Sequence, residues 1–321
     1  GNFQPLDIIL PVGISFYTFQ SISYIVDVYR GDVKATETWL EYIFFLSFFP
    51  ALVAGPIVRA DYFIPQIKSS THATPADMYR GLWLIILGII KKAIIADYIA
   101  QYNDLIFQSP TGYSGFESLM GLVGYVMQIY CDFSGYSDMA IGIALIMGFR
   151  LSKNFNFPYK SQNLSDFWRN WHISLSSWLR DYVYIPLGGS RCGEGRTICN
   201  LFVVWLLTSL WHGLTGNFLI WGMLLCLLII LERLLQKTVF GKIFSKKGLH
   251  WISHFYLWAV IPVTWVCFAV TDIGELQLYL ERMFGLSEGI RVSKNDWLKA
   301  LQSYGYLFAV GLPACTPALK K

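Results

Sequence analysis

Asn217-Phe218-Leu219-Ile220-Trp221-Gly222-Met223-Leu224-Leu225-Cys226-Leu227-Leu228-Ile229-Ile230-Leu231 carries no charge, and Glu232-Arg233 closes it. Extended to Leu235, the run approaches the roughly 20 apolar residues that a helix needs to cross about 30 Å of hydrocarbon. A membrane β-strand would alternate every second residue in short segments, and this run does not. Comparable runs lie at 7–29, 40–58, 81–97, 118–149, 197–214, 250–270 and 303–319. They predict an all-α, polytopic integral membrane protein, one transmembrane domain over 1–321 with roughly eight spanning segments. Only 14% of the 321 residues are charged, against about 25% in soluble domains. The 12 Trp, 19 Tyr and 23 Phe suit a membrane interface, where aromatic rings collect.

Charge placement gives a topology. Residues 93–149 hold no Lys or Arg, whereas Arg150, Lys153, Lys160, Arg169, Arg180, Arg191 and Arg196 crowd 150–196. Arg233, Lys237, Lys242, Lys246 and Lys247 form a second basic stretch. Basic loops stay cytoplasmic, so 150–196 and 233–247 are assigned inside, 98–117 and 271–300 outside. Because the charges flank apolar spans, nucleic acid is not an expected partner; membrane lipid is. The chain starts at Gly1 beside an apolar run and carries no signal-peptide pattern, and it reads as a piece of a longer protein.

Three stretches depart from simple spans. The 118–149 run is too long for one straight helix, and Gly135 is the expected bend or break. Lys91 and Lys92 interrupt an apolar run and are expected to mark an interfacial helix or to snorkel. In 160–196, Trp168, Trp171, Leu175, Trp178, Leu179 and Tyr182 fall on one face at helical spacing. Arg169, Arg180 and Asp181 forbid an ordinary span there. An amphipathic helix lying at the interface or re-entering the bundle is expected over about 160–190, capped by Ser165 or Asp166.

An ionisable side chain kept at membrane depth is a functional candidate by default. Leu210-Trp211-His212-Gly213 places an imidazole at the end of an apolar run. A neutral imidazole is suited to act as general base near pH 7; the plain alternative is a packing histidine bonded to a helix carbonyl. His172, in Asn170-Trp171-His172-Ile173-Ser174, is a second candidate for the same cavity. Asp132, Ser134 and Asp138 put polar groups into 118–149, either lining a cavity or bonding backbone freed at a kink. His72 and Asp77 match an H-x4-D spacing but sit in a polar loop with Pro75. His250 and His254 are four apart with no third ligand evident, and the six cysteines form no C-x-x-C pair. No metal site or disulfide framework is expected. Hydrolase, zinc-protease and NTPase motifs are missing from the sequence.

Several motifs together resemble the membrane-bound O-acyltransferase (MBOAT) family, most of all its bacterial alginate O-acetyltransferase branch. They are Leu10-Pro11-Val12-Gly13-Ile14-Ser15-Phe16-Tyr17-Thr18-Phe19-Gln20, Val26-Asp27-Val28-Tyr29-Arg30-Gly31 and Asp132-Phe133-Ser134-Gly135-Tyr136-Ser137-Asp138-Met139-Ala140. Phe167 to Ser176, Trp178-Leu179-Arg180-Asp181-Tyr182, Ile185-Pro186-Leu187-Gly188-Gly189 and Ser209-Leu210-Trp211-His212-Gly213 complete the set. The resemblance runs from about residue 5 to about 235.

It implies a ring of helices around a central tunnel, with His212 as the catalytic histidine and His172 as the second. Asn170, Trp171, Ser174, Arg180, Asp181 and Trp211 would line the tunnel with Asp132, Ser134 and Asp138. No cofactor would be bound; the co-substrate would be a cytoplasmic acyl thioester, acetyl-CoA. The acceptor would be an exported polysaccharide, reached through an extracytoplasmic acetyltransferase partner, and the location a bacterial inner membrane. Family members begin with further helices not present here. After His212-Gly213 this chain reads Leu214-Thr215-Gly216-Asn217-Phe218, where the family often reads Ala-Asn-Trp, so the local acceptor side differs. Counting along its helix puts His212 near the outer end, whereas the resemblance implies a place deep in the tunnel. Three other readings stand beside this one: D-alanyl transfer to teichoic acid by a related branch, a proton-coupled transporter using His212 and Asp132, and a purely structural subunit of a polysaccharide secretion complex.

Overall fold

The structure is a computed structural model that describes residues 13–69, 72–237, 250–288, 290–293 and 295–315. Every regular element among them is a helix. They fall into two compact units, one of residues Gly1–Leu87 with Tyr136–Asn154, the other of Gly88–Gly135 with Phe155–Lys321.

The first unit contains α1 (Ile14–Arg30), α2 (Trp39–Ser47), α3 (Phe49–Leu52), α4 (Ala60–Lys68) and most of α5 (Pro75–Ile89). Phe48, Phe63 and Phe149 pack as its aromatic centre, with centroids 4.8–5.4 Å apart. The polarity of α1 is reversed relative to a water-soluble helix. It buries Gln20, Ser23 and Asp27, while Ile22 and Ile25 are exposed, Ile25 by 61%. Apolar side chains turned outward and polar ones inward suit a surface that faces lipid.

The expected span 40–58 is not one helix. α2 has nine residues, about 14 Å at 1.5 Å each, too short for the hydrocarbon core. Phe48 interrupts it, and Pro50 opens α3, where a missing N–H costs nothing but could not continue α2. Thr74 and Asp77 cap α5 by mutual bonds, Thr74 Oγ1 donating to Asp77 at 2.7 Å and Asp77 N to Thr74 Oγ1 at 3.1 Å. That is a structural use of the residues in the H-x4-D spacing.

The second unit holds the π-helical turn Ile90–Ala96, α6 (Asp97–Gln108), the first part of α7 (Gly115–Ile146), α8 (Leu164–Asn170), α9 (Ile173–Leu179) and α10 (Glu194–His212). It continues through α11 (Gly216–Gln236), α12 (His250–Ala269), α13 (Ile273–Met283) and α14 (Asp296–Ala314). Among the described residues, two helices are long and apolar enough to cross a membrane, Gly216–Gln236 and Trp251–Ala269. On α11, Ile220, Leu224, Leu227 and Leu231 form an exposed stripe, and Trp221, Leu225, Cys226 and Ile229 face the core. Residues 316–319 of the expected last span lie outside the described residues, as do 7–12 of the first and Lys242, Lys246 and Lys247 of the second basic stretch. So does the side chain of His250.

Two expectations are corrected here. α7 runs unbroken through Gly135 for 32 residues. A Cβ at Gly135 would stand 2.8 Å from the Gly88 carbonyl oxygen and 3.0 Å from Lys91 Cβ. The glycine therefore serves a close helix crossing, not a break. Lys91 does not snorkel: it is 1% exposed, with Nζ 3.4 Å from Ser134 Oγ and 5.6 Å from the Tyr130 ring. The extra residue in a π-turn rotates the helix face, so Lys91 points inward while Lys92 reaches Asp97 and Asp132, each at 2.7 Å.

The crossing gives a stability test. Gly135→Val should lower stability by about 1–3 kcal/mol, because backbone rather than a flexible tip blocks the added carbons. Gly195→Ala, with nothing within 4 Å of the added carbon, should be neutral or slightly stabilising. Thermal unfolding of the detergent-purified protein reads both, and equal effects would remove the crossing argument.

Candidate active site

The amphipathic helix expected over about 160–190 is, in its first part, two helices with a break. Asn163, rather than Ser165 or Asp166, caps α8, its side chain accepting from Asp166 N at 2.7 Å. Leu164 N also donates to Glu232 Oε1 at 3.0 Å, which ties the start of α8 to α11. α8 ends at Asn170. His172 then takes a left-handed backbone, φ 44° and ψ 57°, and α9 begins at Ile173. Ser176 Oγ lies 2.8 Å from the Trp168 carbonyl and 3.2 Å from that of Trp171, serving carbonyls that the break leaves without helix partners.

The break aims Trp171 and His172 into a cavity of about 1110 Å³ within the second unit. His172 is 4% exposed and lies edge-on to Phe133, centroids 4.7 Å apart. His212, at the end of α10, is only half-buried and also lines the cavity. Trp211 stands between them, its ring 6.0 Å from His172 and 4.6 Å from His212. α10 and α11 approach closely because Gly222 has no side chain: a Cβ there would fall 1.8 Å from Ser209 Oγ. That contact brings Trp221 of α11 to 5.1 Å from the His212 ring.

Of the other residues expected to line a tunnel, Trp171, Trp211, Asp132 and Arg180 line this cavity. Asn170, Ser174, Ser134, Asp138 and Asp181 do not. Asn170 donates to Ser161 Oγ and to the Asp166 carbonyl, and Ser174 is buried and its carbonyl accepts from Ser177. Ser134 meets Lys91, Asp138 is buried in the first unit, and Asp181 pairs with Arg180 at 2.7 Å. These are structural engagements. Phe133, Trp168, Trp221, Trp265 and Phe268 line the cavity without having been expected as site residues, as do Arg169 and Arg233.

The cavity lining thus includes aromatic rings packed around His212 and three arginines, Arg169, Arg180 and Arg233. Arg233 and Lys237 also grip Glu194 at the start of α10. Their hydrogen bonds, Arg233's foremost, hold its carboxyl down to about 2, so the carboxylate persists at every physiological pH. Among the described residues no group of three metal-ligating side chains occurs.

Residues 38–270 match the model of the membrane-bound O-acyltransferase (MBOAT) family. That is more than half of the chain, and the chain belongs to this family; it is accordingly a membrane protein. Its relatives include a probable alginate O-acetylase, AlgI, of Pseudomonas aeruginosa, 44% identical over 279 residues that cover 86% of this chain and 52% of the relative. A peptidoglycan O-acetyltransferase of Helicobacter pylori is 36% identical over 313 residues, covering 89% and 59%. A teichoic acid D-alanyltransferase of Bacillus subtilis is 32% identical over 231 residues, covering 69% and 58%. The chain spans about half the length of the curated relatives it matches.

The left-handed turn at His172 can be tested apart from its imidazole. Asparagine tolerates this backbone region, whereas a β-branched residue is an outlier there. His172→Val should therefore be less stable than His172→Asn by about 1–3 kcal/mol, read by thermal unfolding. Equal stabilities would mean that ring packing, not backbone, governs the position.

Proposed function

We propose that the full-length protein is a membrane-bound O-acyltransferase that moves an acetyl group from a cytoplasmic thioester towards hydroxyls of an exported polysaccharide. The observation that carries this reading is His212: a half-buried imidazole, open to a cavity that also presents three arginines. The names of the Pseudomonas and Helicobacter relatives, both O-acetylating enzymes, favour acetyl as the group moved. The donor is acetyl-CoA, the cavity arginines being suited to its phosphates. An extracytoplasmic acetyltransferase partner receives the group, within a ring of helices around a tunnel in a bacterial inner membrane.

In this mechanism His212, as neutral imidazole, takes the proton of the attacking hydroxyl. The oxygen adds to the thioester carbonyl carbon, a carbon–oxygen bond forms, and the carbon–sulfur bond breaks. The departing thiolate recovers the proton from the imidazolium, so nothing is consumed beyond the two substrates. His172 is a positioning residue here: its buried ring lines the same cavity, held against Phe133 and Trp211. The teichoic acid D-alanyltransferase of Bacillus subtilis keeps a second reading open, with D-alanine as the group moved. Family membership displaces the transporter reading.

Radiolabelled acetyl-CoA supplied to membranes holding the full-length parent tests the assignment. His212→Ala should lose about 10²–10⁴ of transfer to polysaccharide, the usual contribution of a general base, at unchanged membrane insertion. Undiminished transfer by that variant would remove His212 as the base.

Orientation has its own test. Cys192 is exposed and lies in the stretch assigned to the cytoplasm. In a parent variant keeping Cys192 alone, a membrane-impermeant maleimide should label inverted vesicles and spare intact cells. The opposite pattern would reverse the topology.

A further inference from the structure

His212 is enclosed by rings. Trp211 is 4.6 Å from it, Trp221 and Phe268 5.1 Å each, and Phe218 6.0 Å. Trp221 and Phe268 meet the imidazole at 86° and 81°, edge to face. They also pack on each other, 4.8 Å apart. Trp221 has no exposed surface, and Trp168 and Trp205 pack against it at 5.7 and 5.8 Å. An indole has few torsions, and close packing against its neighbours holds them. Such a wall does not reshape itself around a guest as a methionine-lined pocket does.

The geometry of attack places the acyl group against this wall. The hydroxyl oxygen must lie about 3 Å from the imidazole, and the carbonyl carbon about 3–3.5 Å from that oxygen. Carbons beyond the carbonyl then begin inside the ring enclosure. The rings around His212 offer the polar body of the donor no charged partner, and the rest of the cavity lining carries Arg169, Arg180 and Arg233, so the donor's body is assigned there and its acyl chain to the rings.

We infer that Trp221 and Phe268 set an upper limit on acyl length, admitting acetyl and excluding butanoyl and longer groups. The inference rests on the acyltransferase reading above and deepens it by naming the size of the group moved.

The test compares full-length wild type with Trp221→Ala, Trp221→Leu and Phe268→Ala in membranes. Each receives acetyl-, butanoyl- and hexanoyl-CoA, and transferred label is measured per inserted protein. Wild type should favour acetyl over butanoyl by about tenfold or more, since one methylene in a fitted pocket is worth roughly 10–200-fold. At least one variant should raise absolute butanoyl or hexanoyl transfer about tenfold or more. A misfolded protein cannot produce such a gain, and the three variants guard against the loss of any one of them. Acetyl transfer with the same chain-length ratio in every inserted variant would overturn the inference, as would wild type that moves butanoyl as readily as acetyl. Wild type that moves none of the three groups would instead overturn the acyltransferase reading, and the inference with it.

Discussion

A helix that ends inside an apolar interior strands its last carbonyls, and α8 ends in such a place. A buried carbonyl without a partner costs about 1–3 kcal/mol, so the turn at Trp171-His172 can exist only if something serves those groups. Ser176 does so from the first turn of α9, close to both the Trp168 and the Trp171 carbonyls. The start of α8 is held in turn by Asn163 and by Glu232 of α11. With both ends fixed, the left-handed His172 sends its imidazole against Phe133 and towards Trp211. A straight helix through the same residues would place these groups on different faces. The cavity wall depends on that break.

Aromatic packing, more than ion pairing, holds the wall in place. Trp168 touches Trp205, Trp221 and Trp265 at 5.2–5.8 Å, and Trp171 touches Trp265 at 4.9 Å. Each well-oriented pair contributes about 0.5–1.5 kcal/mol beyond its buried area. The ion pairs at the rim, Arg180 with Asp181 and Arg169 with Asp166, involve exposed arginines, where such a pair contributes about 0–1 kcal/mol. The rings give His212 fixed surroundings, while each cavity arginine is held by a carboxylate, Arg169 by Asp166, Arg180 by Asp181 and Arg233 by Glu194.

The helical class was legible because long uncharged runs allow little else. Both histidines stood out for the same reason: an ionisable group is rare where the rest is apolar. The detail failed wherever a backbone event shifted the phase of a helix. One uninterrupted helix over about 160–190 would carry the phase of α8 straight into α9, and the left-handed turn at His172 resets it; Asn170 and Ser174 do not line the cavity. The π-turn at Ile90–Ala96 likewise takes Lys91 into the interior, which period counting could not foresee. Gly135 reads as a bend or break because a lone glycine looks the same whether it ends a helix or lets another approach. Trp221 and Phe268 gave no signal at all. In a chain so rich in aromatic residues, spacing does not separate a ring that faces lipid from one that faces a substrate.

The central claim is that chemistry happens at His212, inside its aromatic enclosure. The most direct measurement is a structure of the full-length protein bound to a non-transferable thioether analogue of acetyl-CoA. The account predicts the carbonyl carbon of the analogue about 4–6 Å from the His212 imidazole, leaving room for the attacking oxygen between them. Its methyl group should face Trp221 and Phe268, and its phosphates the cavity arginines. An analogue bound with its carbonyl outside the enclosure, or beside His172 with His212 out of reach, would contradict it.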